Sequence, residues 1–303
     1  MSLQGSLQSP MLLWQFPIQL GDDSLLPVTL GLALVTIFGA VIGSFLNVVI
    51  HRVPREESVV FPNSRCPACG AAIKFYDNIP IFGYLALRGR CRNCRAPISA
   101  RYPAVEALTA VLFGLTFARD GLTLALIPDL VFVAAIIALV FIDAEHMILP
   151  NVITYPGLAL ALLARALLPN LYGLSFLSEG FLADWPAWVV SFCGALIGAI
   201  VGGGSLWLVG QLWEKLRGVE AMGLGDVKMM FMVGAYLGWP LTLLTIFVGV
   251  LLGSFAGVGL MAWRREPDMQ MMLPFGIFLG LGSIVSLLAG MHIVNWYVSH
   301  YIT

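Results

Sequence analysis

The chain has 303 residues, of which 59% are hydrophobic and 11% are charged, and its formal net charge is -1. Its mean hydropathy is +0.90. A soluble core of ordinary proportions cannot cover so much apolar surface, so the composition excludes an ordinary soluble globular protein and predicts a multi-pass membrane protein. We expect the protein to contact membrane lipid and not to bind nucleic acid.

Residues 1–27 contain Asp22 and Asp23 but no Lys or Arg, so they lack the basic start of a secretory signal peptide and are expected to be retained. Eight apolar segments of about the length needed to cross a bilayer follow. They are 28–50, 103–118, 124–142, 152–168, 186–213, 225–238, 241–263 and 274–298. We therefore predict an all-α polytopic membrane protein with about eight transmembrane helices. It divides into the N-terminal segment 1–27, a first helix at 28–50, a loop domain at 51–102 and a seven-helix membrane domain at 103–303.

The basic residues fall on one side of the predicted membrane domain. Nine of them lie in the loop 51–102, whereas the opposite side has Arg119, Arg165 as a second candidate, and an acidic loop with Glu179 and Asp184. Because basic loops stay in the cytoplasm, we predict a cytoplasmic loop domain and two extracytoplasmic termini. The later basic residues on the cytoplasmic side are Lys215, Arg217, Lys228, Arg264 and Arg265.

Two CxxC pairs mark the loop domain, Cys66 with Cys69 and Cys91 with Cys94. Four thiolates at this spacing are typical of a closed structural zinc site, although the separation between the pairs is slightly longer than usual. Two disulfides are the alternative, which a reducing cytoplasm disfavours. The loop is too short for a large core, so a zinc clip would stabilise it. The fifth cysteine, Cys193, lies within an apolar helix and is interpreted as a packing residue.

An acid at the edge of an apolar segment is the most informative single residue. Asp226 lies in the sequence Gly-Leu-Gly-Asp-Val-Lys, with Gly223 and Gly225 before it and Lys228 after it. An ionisable residue at membrane depth is by default a candidate for function, and glycine allows another backbone to approach closely. The alternative is a helix-end aspartate that faces water. The predicted helix after Asp226 is short, which indicates either a wet, partly enclosed site or a helix that residues 219–224 continue outward.

A second carboxylate, Asp143, ends the third apolar segment at the same face of the membrane. Two aspartates that share a proton can hold a water, one acting as base and the other as acid toward a peptide carbonyl, which is aspartic protease chemistry. The alternative is that Asp143, Glu145 and His146 form a solvated charged loop. Paired intramembrane acids also occur in proton-coupled transporters, and a zinc loop could belong to a membrane scaffold.

Several motifs together resemble one family, the bacterial type IV prepilin peptidases, which are the leader peptidase / N-methyltransferases of pilus and type II secretion systems. The motifs are Gly43-Ser44-Phe45-Leu46-Asn47-Val48-Val49-Ile50-His51-Arg52, both CxxC pairs, Tyr76-Asp77-Asn78-Ile79-Pro80, Arg101-Tyr102-Pro103 with Glu106, Asp143 followed by Leu149-Pro150, and Gly223-Leu224-Gly225-Asp226-Val227-Lys228.

The resemblance implies a bacterial inner-membrane aspartic endopeptidase with Asp143 and Asp226 as its catalytic pair. Its substrates would be prepilins or pseudopilins, cut after a glycine at the cytoplasmic face. It also implies methylation of the new N-terminus from S-adenosylmethionine, with no residue assigned to the methyl donor. Many family members have Asp where this chain has Asn151, which cannot act as a carboxylate base. Asp143 is therefore the expected partner of Asp226.

The sequence leaves two alternative roles for each of the supporting residues. Lys228 either stabilises an ionised carboxylate or extends to the lipid headgroups. Asn47, Asn78 and Glu106 either bind the methyl donor or shape the loop. The oligomeric state is open as well.

Overall fold

The computed structural model describes residues 25–169, 184–218, 222–264 and 274–301. Most of the N-terminal segment 1–27, Glu179, Arg265 and Thr303 lie outside these residues. The described part of the chain is helical, and its only β contacts are two isolated bridges in the loop domain, Arg65–Ala72 and Arg90–Pro97.

Ten α-helices account for most of the described residues, and a π turn at Ile200–Gly204 joins the sixth and seventh into one continuous run. Two short 3₁₀ turns, Val53–Arg55 and Phe75–Asn78, lie in the loop domain. The helices are α1 (Leu25–Arg52), α2 (Phe82–Ala86), α3 (Arg101–Asp120), α4 (Leu126–His146), α5 (Asn151–Leu167), α6 (Ala187–Ala199), α7 (Ser205–Arg217), α8 (Leu224–Leu237), α9 (Trp239–Arg264) and α10 (Phe275–Tyr301).

Five helices in the described part are long and apolar enough to cross a membrane, which confirms a helical multi-pass membrane protein. α5 is apolar but has only 17 residues, and α8 has only 14. The predicted total of eight crossings therefore stays a prediction. The five candidate spans are Val28–Arg55, Leu126–His146, Ala187–Arg217, Trp239–Trp263 and Phe275–Tyr301.

The short helix α8 is enclosed by protein rather than exposed to lipid. It packs against α5, α6 and the π turn, and the side chains of Met229, Met230 and Val233 are fully buried. A methyl group on Gly198 of α6 would collide with the carbonyl oxygen of Gly234, so the two backbones touch. A helix that is apolar all round needs such a protein environment. The enclosure explains how α8 can be too short to span a bilayer alone.

A buried ion-pair network ties four helices together at the end of α4 opposite Asp143. The guanidinium of Arg119 on α3 pairs with Asp129 on α4 and donates to the carbonyl oxygen of Leu287 on α10. The hydroxyl of Tyr236 on α8 donates to the other carboxylate oxygen of Asp129. Asp129 as a whole residue is 1% exposed. Asp129 was missed in the sequence, although an acid inside an apolar helix is itself a signal.

Asp129→Ala should lower the free energy of unfolding by about 3 kcal/mol, because it removes one of the two carboxylates that pair with the buried Arg119 and the carboxylate that accepts the Tyr236 hydroxyl, while Asp120 remains paired with Arg119. The measurement is the unfolding transition of the purified protein in detergent. Thr109→Val is the matched control, since the buried Thr109 hydroxyl bonds only to its own helix at Val105. It should cost about 1 kcal/mol. Equal stability of the two variants would contradict a network that holds the helices together.

Candidate active site

The two predicted aspartates come together around the start of α10. A methyl group placed on Gly276 would lie 2.8 Å from Oδ2 of Asp143 and 3.2 Å from Oδ1 of Asp226. These two carboxylate oxygens are therefore no further apart than the sum of those distances, 6.0 Å. Asp143 comes from the last turn of α4 and Asp226 from the first turn of α8. A water molecule that hydrogen-bonds to both carboxylates fits within this upper limit.

Helix termini shape the electrostatics around the pair. The backbone N–H groups of Ile277 and Gly276, in the first turn of α10, lie near the carboxylate of Asp143. Asp226 itself lies in the first turn of α8. The N-terminus of a helix carries partial positive charge, so both carboxylates lie where negative charge is stabilised. Oδ2 of Asp143 is buried and has no hydrogen-bond partner among the described residues, which leaves it available to a water or a substrate.

An open cleft of about 370 Å³ gives access to both aspartates. Its wall is formed by the segment that links α4 to α5, where the chain runs without helix from Met147 to Pro150. The opposite wall is the start of α8. The lining residues are Asp143, Met147, Ile148, Leu149, Pro150, Asn151, Gly223, Gly225, Asp226 and Lys228.

The two glycines of the aspartate motif differ in their surroundings. A methyl group on Gly225 would lie 3.1 Å from Cβ of Leu149, so this glycine lets α8 approach the α4–α5 link closely. A methyl group on Gly223 would meet nothing nearer than 3.9 Å, and the backbone of Gly223 is extended. Packing therefore accounts for Gly225 but not for Gly223.

Lys228 contacts Asn151 rather than an aspartate. Its ammonium nitrogen donates to Oδ1 of Asn151 at 3.0 Å and lies 5.6 Å from the ring centroid of Tyr155. No described salt bridge joins Lys228 to either aspartate. At the position that departs from the family motif, the amide oxygen of Asn151 thus accepts a bond from a cation at the mouth of the cleft.

Glu145 is engaged elsewhere. Its carboxylate forms an ion pair with Arg101 at the start of α3, which joins the loop domain to α4. Glu145 therefore does not belong to the aspartate pair. Nε2 of the neighbouring His146 is buried and has no partner among the described residues.

Gly276→Ala should reduce the expected peptidase activity by about 10²-fold, because its methyl group would lie too close to the carboxylate of Asp143, and a displacement of about 1 Å in a catalytic group can cost that much. Cleavage rates in detergent provide the measurement. Gly259→Ala is the matched control, since a methyl group on Gly259 of α9 meets nothing within 4 Å. If both variants cleave at the wild-type rate, the start of α10 does not form part of the site.

The four loop cysteines form a compact cluster. Their sulfur atoms all lie within 4.8 Å of one another, and the Sγ atoms of Cys66 and Cys94 are 3.8 Å apart. Four thiolates about 2.3 Å from one zinc ion in tetrahedral geometry are separated by about 3.8 Å. A disulfide bond is much shorter, about 2.05 Å. The cluster therefore fits one zinc ion, and it does not fit two disulfides.

Each cysteine pair lies in a tight turn of the same construction. In both turns the first cysteine accepts an N–H bond four residues on, from Gly70 to Cys66 and from Arg95 to Cys91. Backbone N–H groups, that of Cys94 first, lower the pKa of Cys91 to about 6, which favours the thiolate that binds metal. The sequence contains a signal of this repeat that the sequence analysis did not use. An Arg precedes the first cysteine of each pair, and Ala-x-Ile begins five residues after that cysteine.

Two further polar residues of the motifs shape the junction between loop and membrane helices. The side-chain amide of Asn47 on α1 donates to the carbonyl oxygen of Tyr102 on α3 at 3.0 Å. The buried carboxylate of Glu106 accepts the backbone N–H of Ile81 at 2.7 Å. Asn78 ends the 3₁₀ turn Phe75–Asn78. The contacts of Asn47 and Glu106 join the loop domain to α1 and α3, which supports a role in shaping the loop.

Comparisons with known proteins match both parts of the chain. A family model described as "Bacterial Peptidase A24 N-terminal domain" matches residues 37–119, which include the four loop cysteines. One described as "Type IV leader peptidase family" matches residues 130–258, which include Asp143 and Asp226. No solved structure matches the chain.

Several curated relatives are each named prepilin leader peptidase/N-methyltransferase. The Aeromonas hydrophila protein is 38% identical over 297 residues, which cover 89% of this chain and 94% of that protein. The Pseudomonas aeruginosa protein is 36% identical over 285 residues, covering 86% and 91%. The Myxococcus xanthus protein is 41% identical over 222 residues, covering 73% and 61%. The chain therefore belongs to the type IV leader peptidase family.

Proposed function

We propose that this protein is an intramembrane aspartic endopeptidase that removes the leaders of type IV prepilins or pseudopilins and then methylates the new N-terminus. The observation that carries the proposal is the convergence of Asp143 and Asp226 on Gly276 at the base of an open cleft. The names of the relatives supply the substrate class and the second activity.

In the proposed mechanism, one aspartate is ionised and the other is protonated, and a water lies between them. The ionised carboxylate takes a proton from the water, whose oxygen attacks the carbonyl carbon of the scissile peptide bond. The protonated carboxyl group donates to the carbonyl oxygen as it gains negative charge. Collapse of the tetrahedral intermediate breaks the C–N bond. The carboxyl group that took the proton of the water gives it to the leaving amine. The start of α10, which lies against Asp143, would keep its carboxylate in position.

The loop domain would serve the second activity. Cys66, Cys69, Cys91 and Cys94 would hold one structural zinc ion, which has no open position for chemistry when four thiolates bind it. The methyl donor would be S-adenosylmethionine, which supplies a methyl group to the N-terminal amine after cleavage. The ion pair of Arg101 with Glu145 joins the end of the loop domain to α4, two residues from Asp143.

The competing functions make different predictions. A proton-coupled transporter or a zinc-loop scaffold would use the same acids or cysteines without breaking a peptide bond. Incubation of the purified, reconstituted protein with a prepilin, followed by mass spectrometry, separates these classes. The proposal expects a released leader and a mature chain that carries one added methyl group. An intact prepilin would contradict it.

The proposed topology places the protein in the bacterial inner membrane, with residues 1–27 and the C-terminus outside and the cleft facing the cytoplasm. A reporter enzyme fused after Thr303 should be active outside the cytoplasm, and one inserted near Arg217 should be active in the cytoplasm. The measurement is the activity of paired reporters that work on opposite sides. A cytoplasmic C-terminus would mean an odd number of crossings or a reversed orientation.

A further inference from the structure

A run of nine residues in the loop domain, 79–87, contains no charged side chain. Lys74 and Asp77 precede it, with Asp77 paired to Arg92, and Arg88 and Arg90 follow it. The sequence pattern of an apolar stretch with basic flanks is typical of chain that contacts a bilayer, since the flanking cations reach the headgroups. The run is far too short to cross. We refer to residues 79–87 as the apolar run.

The apolar run is attached to the side of the α1–α3 helix pair, below their cytoplasmic ends. Glu106, which binds the N–H of Ile81, lies five residues into α3, about 7.5 Å from its start at 1.5 Å per residue. The Cα of Glu106 lies against Gly43, where a methyl group would come within 2.7 Å of it. Gly43 lies well within the apolar segment 28–50, nine residues before Arg52. The bond to Glu106 therefore holds Ile81 against the first turns of α3, between the end of α1 and the level of Gly43 in the predicted membrane segment.

The backbone at this attachment is held in a conformation that needs support. Ile81 has φ 63 and ψ −52, a region that a β-branched residue rarely adopts. Such conformations persist where surrounding contacts determine them. Glu106 supplies one such contact, and Gly83 supplies another, because its backbone lies directly against the carbonyl oxygen of Asp77. The position of the apolar run is thus built into the fold.

The outer face of the apolar run is uncovered in the described part of the protein. Phe82 is 71% exposed and Leu85 is 62% exposed, on the same short helix α2. Large apolar side chains at the depth of a membrane segment contact hydrocarbon without the cost that water would impose. The short helix satisfies part of its own backbone, and Glu106 satisfies the N–H of Ile81, as chain at this depth requires.

We propose that the apolar run is a re-entrant element whose exposed residues Phe82 and Leu85 contact the acyl chains of the cytoplasmic leaflet, with Glu106 as its anchor. The loop domain is then fixed against the bilayer as well as tethered by α1 and α3. The apolar run would then be the part of the predicted cytoplasmic loop domain 51–102 that enters the bilayer. The choice of leaflet rests on the proposed topology, whereas the lipid contact does not.

Photo-crosslinking of the full-length protein in vesicles of phosphatidylethanolamine and phosphatidylglycerol tests the lipid contact. The photoreactive residue p-benzoylphenylalanine would replace Phe82, Leu85 or, as control, Ala68, which is exposed in the first cysteine turn. After irradiation, mass spectrometry should find acyl-chain adducts at positions 82 and 85 with a yield about tenfold above that at position 68. Equal yields at the three positions would overturn the proposal.

The same samples with prepilin added test other occupants of this face. Adducts to prepilin, or to a second copy of the chain, in place of lipid at both positions would show a protein-docking surface and would overturn the proposal. The role of Glu106 is tested in the position-82 background. Glu106→Ala should lower the lipid adduct several-fold, and Glu106→Gln, which keeps an oxygen acceptor, should retain most of it. An unchanged yield in Glu106→Ala would overturn the anchor. Zinc content verifies that each variant is folded.

Discussion

Asp143→Asn should lower kcat for leader cleavage by about 10⁴-fold or more, to near the background rate. The amide keeps the size of the side chain and its place beside Gly276, but it can neither accept the proton of the water nor share one with Asp226. The variant should remain inserted, zinc-loaded and able to bind prepilin. The measurement is the rate of leader release from purified prepilin.

The activities of the double variant and of a control variant test the aspartate pair further. Two groups that act on one water operate as a unit, so combining Asp143→Asn with Asp226→Asn should cost little more than either change alone. Glu145→Gln is the matched control on the same helix, two residues away, since its side chain faces Arg101. It should keep most of the activity. An active Asp143→Asn variant together with an inactive Glu145→Gln variant would show that Glu145, and not Asp143, is the catalytic carboxylate.

Loss of zinc should have the second-largest effect. Replacing Cys66 and Cys69 with Ser removes two of four thiolates, and structural zinc contributes about 10–16 kcal/mol of binding free energy to small metal domains. The loop should lose its order, and methylation should fall to background while cleavage falls less, because the aspartates lie on α4 and α8. The measurements are the metal content and the methylated fraction of cleaved substrate.

Cys193→Ser provides the control for that experiment. Cys193 lies on α6, outside the cysteine cluster, so the change should leave both zinc and methylation as in the wild type. An unchanged metal content in the Cys66 and Cys69 double variant would refute the assignment of the zinc ligands. Loss of metal with full methylation would refute the architectural role of the loop.

Much of the site could be predicted from local sequence. Asp226 and Asp143 both interrupt apolar segments, which is costly unless function requires it. The CxxC spacing fixes which thiolates can share an ion. These signals are local, and the structure places both aspartates in one cleft and all four cysteines in one cluster.

Contacts between distant segments could not be predicted in this way. The pairing of Asp129 with Tyr236 joins residues 107 positions apart, and nothing in either local sequence names the other. The bond from Ile81 to Glu106 is similar, because a glutamate near a helix start usually faces water. The role of Gly276 also depends on how α10 packs between α4 and α8. Such features depend on tertiary packing, which one sequence does not specify.

The central claim is that the carboxylate of Asp226 takes part in peptide-bond cleavage. The most direct test is the rate of leader release by the purified Asp226→Asn variant, measured with a prepilin under conditions where the wild-type protein completes the reaction. Zinc content and detergent elution verify that the variant is folded. We predict release at background rate. Leader release at the wild-type rate would contradict the aspartic mechanism and remove this assignment.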